Sequence, residues 1–286
     1  MRKSLGIIGG SGLYNINNLH IIKSHEITTP WGNPSSNIVE LKYNNETIFF
    51  LTRHGKNHHI PPSKINYRAN IDALKQLGVT YILSISSVGS LKETLQPGSF
   101  VIVDQFIDLT KCRVSSFFDA DIVVHVSMAH PTDKALMDIV DLSLDNISIN
   151  YKRGGVYVCI EGPQFSTLSE SNLYRSWGCD VIGMTNMPEA KLCREASLRY
   201  ATVGMITDYD CWHPNYDNVE VSNVIDMLHK NTFMAQEFIH EFISYYSSSS
   251  INSELNSFSC LVTPINKIKK DTKHKLKHIL PELLKN

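Results

Sequence analysis

The sequence of 286 residues lacks a long apolar run, a closely spaced cysteine pair and an excess of either charge, its formal net charge being −1. A helix that spans a bilayer needs about 20 consecutive apolar residues, so we expect no membrane partner. The balanced charge leaves no basic surface of the kind that binds nucleic acid, so we expect no nucleic-acid partner either.

The six cysteines are scattered without a C-x-x-C pair, which is typical of free thiols in a reducing compartment. The amino-terminal stretch MRKSLGIIGGSG also lacks what a secretory signal needs, because glycines interrupt its short apolar run. We therefore expect a cytoplasmic protein, with the nucleus as the alternative location.

Familiar cofactor motifs are incomplete. The turn Gly9-Gly10-Ser11-Gly12 would need a further glycine at position 15 to match the dinucleotide fingerprint, and that residue is Asn15. No G-K-[ST] follows, so the P-loop fails too. Since the sequence also shows neither a metal-ligand cluster nor a Ser-His-Asp order, we expect no metal and no cofactor. The turn alone fits a plain strand-to-loop connection equally well.

What the chain does contain is an alternation of short apolar runs with helical periods, at 42% hydrophobic and 19% charged residues. This pattern predicts an α/β fold. Buried strands are predicted at Leu5–Ile8, Thr47–Thr52, Tyr81–Ile85, Ser99–Ile107, Gly155–Ile160, Asp180–Met184 and from Tyr200 to about Ile206. The strand Tyr81–Ile85 is predicted to end in the run Ser86-Ser87-Val88-Gly89-Ser90. A helix is predicted over Thr132–Leu144, with Thr132 as its N-cap.

The run from Tyr200 to Trp212, YATVGMITDYDCW, organises the functional argument. It begins as a buried parallel strand and ends with two acids, Asp208 and Asp210. Ligands of open α/β sheets lie outside the carboxyl ends of the strands, where two carboxylates can accept from an amine and deliver a proton to a ring nitrogen. An isolated D-x-D is more often a helix cap or a solvated loop.

Five further motifs follow predicted strands, namely GGSG, RHG, SSVGS, EGPQFS and MTNMPE. Their residues divide into two sets of chemistry. Groups suited to an oxyanion are Ser11, Arg53, Ser86 and Thr185, because a guanidinium and hydroxyls donate to phosphate. Groups suited to a flat heterocycle with an amine are Phe165, Ser166, Asp208 and Asp210. Taken singly, Arg53 is equally a surface ion pair and Phe165 a core residue. Together the sets suggest phosphorolysis of a nucleoside.

The motifs GIIGGSGL, LTRHG, H-x-I-x-P-S-K-I-N-Y-R-A-N, EGP-x-F-S, MT-x-x-PEA and TDYDCW resemble the S-methyl-5′-thioadenosine phosphorylases of the trimeric purine nucleoside phosphorylase family. The resemblance runs from about Gly6 to Trp212 and continues more weakly to the end. It implies a single domain over residues 1–286, with a mixed, mostly parallel central sheet flanked by helices. It also implies a pentosyltransferase that forms homotrimers with sites at the subunit interfaces, and that takes inorganic phosphate as co-substrate and needs no cofactor.

The resemblance assigns roles residue by residue. The phosphate site would comprise Ser11, Arg53, His54, Ser86, the backbone at Ser87, and Thr185. The nucleoside would lie against Met184 at the ribose, and against Phe165, Ser166, Asp208 and Asp210 at the base. The 5′-methylthio pocket would comprise Val221, Val224, Leu228, and His125 from a neighbouring subunit, with Ile279 closing it from the adjacent chain. Val221, Val224 and Leu228 fit a plain helix-packing face as well.

The chain departs from the family pattern around the phosphate. Ser11, Ser86 and Ser87 are found where the family has other small residues, and Asn186 replaces a usual second threonine. Serine keeps a hydroxyl, so phosphate binding is expected to persist, while fewer methyl groups should loosen the site.

The resemblance implies that S-methyl-5′-thioadenosine is cleaved to adenine and 5-methylthioribose 1-phosphate. Asp208 would be protonated and would hydrogen-bond purine N7, and Asp210 would help to bind the 6-amino group. Three alternatives stay open: a 6-oxopurine nucleoside phosphorylase acting on inosine or guanosine, a nucleosidase that uses water, and a binding protein without catalysis on the same fold.

Overall fold

The computed structural model describes residues 3–10, 13, 19–43, 46–214, 221–251 and 255–285, without the side chains of 221–226 and 228–230. The strands are β1 Leu5–Gly9, β2 His20–His25, β3 Ile38–Tyr43, β4 Glu46–Thr52, β5 Tyr81–Ser90, β6 Phe100–Val103, β7 Gln105–Asp108, β8 Tyr151–Arg153, β9 Val156–Cys159, β10 Val181–Gly183 and β11 Arg199–Asp208. The helices are α1 Tyr67–Gln76, α2 Lys134–Asn146, α3 Leu168–Ser176, α4 Asn186–Glu195, α5 Val221–Ser248 and α6 Lys270–Lys275.

The strands form one mixed sheet, in which β5 is the central member. On one side β5 runs parallel to β11 from Tyr81 to Gly89. On the other side it runs parallel to β1 as far as Ser84 and then pairs antiparallel with β10 at Gly89 and Ser90. Residues Ile85–Val88 therefore have no strand partner on that second side among the described pairings, which leaves a gap inside the sheet.

Helices cover both faces of the sheet, because successive strand residues point to opposite sides. Ile8 and Ile82 pack in one apolar cluster with residues of α1 and α4 such as Leu74 and Ala190. Ile7 and Leu83 pack in a second cluster with α2 and α5, where residues such as Phe238 are fully buried. Burying one such side chain stabilises the fold by roughly 1.5–3 kcal/mol. The two apolar clusters therefore hold the helices against both faces of the sheet.

The predicted fold class is confirmed: the protein is a single-domain α/β fold with a largely parallel central sheet flanked by helices. None of the described helices combines the length and apolar character that a membrane span requires.

Three local predictions were wrong. The strand predicted to end at Ile85 continues through Ser86–Ser90 as part of β5, because β11 and β10 still supply hydrogen-bonding partners there. The predicted strand Ser99–Ile107 is divided at Asp104 into β6 and β7, which pair with different neighbours. The N-cap of α2 is Asp133, whose side chain accepts from Leu136 N, and Thr132 precedes it.

Candidate active site

The two acids lie where β11 ends beside β5. The register shifts between Ile206 and Asp208, so that Asp208 lies opposite Gly89. Thr207 Oγ1 donates to Asp208 Oδ2 at 2.7 Å, and the Asp210 backbone N–H donates to Oδ1 at 2.7 Å. Asp210 has a φ of +51°, a left-handed conformation that aspartate tolerates better than most residues. This tight turn brings both carboxyl groups together.

Both acids are shifted toward the protonated form. Burial raises the pKa of Asp208, although the hydrogen bonds from Thr207 and the Asp210 amide oppose the rise. Burial also raises the pKa of Asp210 to about 6, and the nearby Asp208 carboxylate acts in the same direction. Two interacting acids titrate as a pair. The pair therefore holds a proton more readily than ordinary aspartates do, as a general acid must.

Gly89 makes room for Asp208. A Cβ atom at Gly89 would lie 2.9 Å from Asp208 Oδ1 and 3.0 Å from Ile182 Cγ2. The glycine in SSVGS thus serves close packing against the acid, a role that the sequence analysis did not assign to it.

The segment after β9 lies beside the acids. Cys211 Sγ donates to the Ser166 carbonyl at 3.3 Å, which ties this segment to the turn that carries Asp210. The Ser166 hydroxyl is buried and has no hydrogen-bond partner among the described residues. Phe165 is 46% exposed, so it is not a core residue, and its ring is free to cover a flat ligand.

The other end of the gap in β5 is occupied by Arg53, of which 2% is exposed. Its Nε donates to Glu189 Oε2 at 2.8 Å and its Nη2 to Oε1 at 3.2 Å, which is a bidentate ion pair. Nη2 also donates to Ser84 Oγ at 2.7 Å, and Nη1 donates to the Ile85 carbonyl at 3.0 Å. Glu189 thus neutralises much of the positive charge of Arg53 that the sequence analysis assigned to binding an anion. Nη1 lies at the gap with a second N–H beyond its described bond.

A buried amide holds the hydroxyl of Ser86. Asn186 is fully buried and donates through Nδ2 to Tyr200 Oη at 2.6 Å and to Thr202 Oγ1 at 2.9 Å. Its Oδ1 accepts from Ser86 Oγ at 3.1 Å. Asn186 therefore has a structural role that a threonine could not reproduce, because a single hydroxyl cannot bridge these groups.

His54 is neutral at physiological pH. Burial lowers the pKa of His54 to about 4, and the positive charge of Arg53 contributes to the decrease. Nδ1 lies 2.9 Å from the Ile60 carbonyl, so Nδ1 carries the proton and Nε2 is an acceptor. His54 can therefore accept a hydrogen bond from a protonated oxyanion but supplies no charge.

The acid pair and the Arg53 cluster lie at the two ends of the same unpaired stretch of β5. Ser86 precedes Gly89 by three residues, which is about 10 Å along a strand at the usual rise. The Ile85 carbonyl faces the gap because it accepts from Arg53. The backbone of Ser87, two residues later, faces the same way, since strand backbone groups alternate. A sugar fits between an anion and a base at this spacing.

The structure brings together Arg53, His54, Ser86, Ser87 and Thr185 near one end of the gap. Thr185 is buried directly before Asn186, and its N–H donates to the Tyr157 hydroxyl at 3.3 Å. Met184 lies against Gly162, since a Cβ there would approach Met184 Sδ to 2.5 Å. Ser11 and the side chains of Val221, Val224 and Leu228 lie outside the described residues.

Two residues predicted for the 5′ pocket, His125 and Ile279, lie within the described part of the chain. His125 is exposed on the surface, where its backbone amide N–H donates to the Cys260 carbonyl at 3.1 Å. Ile279 is 1% exposed and packs in the core of its own chain with Leu276 and Leu280. The role predicted for Ile279, closing the pocket of an adjacent chain, concerns a contact between subunits and stays a prediction.

A model of the Phosphorylase superfamily matches residues 4–244. The chain belongs to that superfamily. The S-methyl-5′-thioadenosine phosphorylase of Rhodospirillum rubrum is 54% identical to it over 235 residues, which cover 82% of this chain and 80% of that protein. The crystal structure of a methylthioadenosine phosphorylase from an antarctic soil metagenomic library superposes with a TM-score of 0.92 at 48% identity, covering 98% of this chain and 99% of the other. The structure of the methylthioadenosine phosphorylase of Schistosoma mansoni in complex with adenine superposes with a TM-score of 0.82 at 36% identity, covering 86% of this chain and 93% of the other.

Proposed function

We propose that the protein catalyses the phosphorolysis of S-methyl-5′-thioadenosine to adenine and 5-methylthioribose 1-phosphate. The observation that carries the proposal is the pair of protonatable acids, Asp208 and Asp210, about 10 Å along β5 from the Arg53 cluster. Relatives that cover most of the chain at 54% and 48% identity are named for this activity, which supports the same assignment.

At the base end, the acids bind and activate adenine as a leaving group. Cleavage of the glycosidic bond leaves the purine with negative charge unless N7 gains a proton. We assign the hydrogen bond to N7 to Asp208 in its protonated form, since burial raises its pKa. Asp210 accepts from the 6-amino group, while Ser166 and Phe165 bind the edge and the face of the ring. The paired acids stabilise charge as it develops.

At the other end, phosphate attacks C1′ of the ribose from the face opposite the base. We assign its binding to Nη1 of Arg53, the Thr185 hydroxyl, the Ser87 amide and Ser11, with His54 accepting from a protonated phosphate oxygen. The Ser86 hydroxyl joins them by turning its one proton from Asn186 Oδ1 to the phosphate. Positive charge builds up on the sugar, as in other glycosyl transfers, and the bound dianion stabilises it. Holding both reactants on one strand supplies the positioning part of the rate acceleration. The reaction proposed here uses no metal and no cofactor.

The proposal for the 5′ pocket includes the oligomer, because one residue of the pocket would come from a neighbouring subunit. We assign methylthio binding to Val221, Val224 and Leu228, with His125 from a neighbouring subunit of a homotrimer. Exposure of apolar side chains around His125 supports a subunit contact there, because Val123 is 44% exposed and Val262 is 61% exposed. Light scattering at working concentration tests the trimer.

We place the reaction in the cytoplasm, or in the nucleus, and the six free cysteines support a reducing compartment. Fractionation of cells with an antibody to the protein tests this location.

The deciding experiment is release of adenine from S-methyl-5′-thioadenosine with and without inorganic phosphate, beside parallel assays on inosine. We expect release that depends on phosphate, with the ribosyl product recovered as its 1-phosphate. Adenine release without phosphate would indicate a nucleosidase, and faster cleavage of inosine a 6-oxopurine phosphorylase. Tight adenine binding without turnover would indicate a binding protein. Each of these results contradicts the proposal.

A further inference from the structure

Arg113 lies in the irregular segment after β7, where the sequence analysis assigned no function. Only 1% of its side chain is exposed. Its ion pair with Glu161 joins Nε to Oε1 at 3.0 Å, and Nη2 also donates to the Glu161 carbonyl at 2.7 Å. A buried arginine with this many bonds fixes the groups around it, because each of its donors has a defined direction.

The remaining donors of Arg113 reach the loop between β10 and α4. Nη1 donates to the carbonyl of Met184 at 2.7 Å and to that of Met187 at 2.6 Å, and it also donates to Tyr67 Oη at 2.9 Å. Met184 is the residue assigned to the ribose. One guanidinium thus joins two loops of the nucleoside half of the site.

Glu161 completes the connection from the other direction. Its Oε2 accepts the backbone N–H groups of Lys111 at 2.6 Å and of Cys112 at 2.9 Å. The segment that leads to Arg113 is therefore fixed to the loop that continues to Phe165 and Ser166. In the same region Gly162 and Met184 are in close contact, which leaves little slack between the two loops.

We propose that Arg113 is a positioning residue for the nucleoside half of the site, which sets Met184 against the loop of Phe165 and Ser166. This inference rests on the proposed function. It adds a residue that holds the binding loops in place to the residues that touch the substrate directly. Arg53 makes no hydrogen bond to Arg113 among the described residues. Thr185 lies between Met184 and Met187, whose carbonyls accept from Arg113, so we expect the phosphate half to respond less than the nucleoside half but not to be independent of it.

The test is Arg113→Lys, with Arg113→Met as a second variant. Lysine keeps the charge opposite Glu161, but a single ammonium cannot make the bonds of the planar fork. We expect at least a ~10-fold rise in the nucleoside KM and a similar weakening of adenine binding by calorimetry, with a distinctly smaller rise in the phosphate KM, because the bonds of Arg53 do not involve Arg113. Arg113→Met should show the same split together with a lower Tm.

The matched control is Arg199→Lys. The Arg199 side chain is 11% exposed and pairs with Asp133 through Nη1 at 2.8 Å. Arg199 begins β11 and so lies about 30 Å from Asp208 along the strand. Its loss should lower Tm without changing either KM. An unchanged nucleoside KM in Arg113→Lys, an equal rise in the phosphate KM, or the same effect from Arg199→Lys would overturn the proposal. Should the wild-type enzyme fail to release adenine, the proposed function falls, and adenine binding alone then decides the role of Arg113.

Discussion

Substitution of Asp210 by asparagine should stabilise the protein at neutral pH. Asp210 is 5% exposed, and its pKa is raised from 3.8 to about 6, chiefly by burial. An acid whose pKa is raised in the folded state favours folding while protonated and loses that contribution as pH rises through the folded value. Its destabilising effect therefore develops between about pH 4 and pH 6 and is complete above pH 7.

The magnitude follows from the shift. Each pKa unit corresponds to about 1.36 kcal/mol, so a shift of about 2 units costs about 3 kcal/mol above pH 7. Asparagine carries no charge and accepts the left-handed φ of this position, so it should recover most of that amount. For a chain of this size we expect a rise in Tm on the order of 5–10 °C at pH 7.5.

The assay is thermal unfolding of wild type and Asp210→Asn from pH 4.5 to pH 8. The difference in Tm should be small at the acid end and should grow through pH 6. Asp108→Asn is a control of opposite sign: burial alone would raise the pKa of Asp108, but hydrogen bonds from Lys191 and Thr110 hold it below its ordinary value. That variant should lose stability at neutral pH. A Tm difference for Asp210→Asn that does not vary with pH would refute the reasoning.

Four further substitutions test the site and the sheet that carries it. Asp208→Ala should lower kcat by roughly 100-fold or more by removing the proton donor, and Asp208→Asn should shift preference toward 6-oxopurines, as steady-state assays on both nucleosides will show. Glu189→Gln should cost about 3 kcal/mol, because it leaves Arg53 buried without a countercharge; added phosphate should raise Tm more in this variant than in wild type. Gly183→Ala should destabilise the sheet, because the new Cβ would lie 2.0 Å from Tyr157 Oη. A midpoint of denaturant unfolding equal to that of wild type would contradict this.

Local patterns predicted the strands that carry the site. The strand that ends in Asp208 could be predicted because a buried strand is an unbroken run of apolar residues. The first charged residue marks where that run ends. β2 was not predicted, since five of its six residues are exposed and no apolar alternation marks it. The N-cap of α2 was misplaced by one residue because Thr132 and Asp133 are both good cap formers.

The partnerships across the fold could not be predicted in the same way. The pairing of Arg53 with Glu189 joins residues 136 apart in the chain, and no local spacing encodes it. The length of β5 depends on β11 and β10, which lie far along the sequence. The contacts of Arg113 could not be predicted, because most of its partners are backbone carbonyl groups, which every residue has.

The central claim is that a purine and an oxyanion bind at the two ends of the gap in β5. A crystal structure of the protein with adenine and phosphate tests it most directly. The account predicts adenine against Asp208, Asp210 and Phe165, and phosphate against Arg53, Ser86 and Thr185 in the same subunit. Phosphate bound away from Arg53, or adenine out of hydrogen-bond reach of both acids, would contradict it.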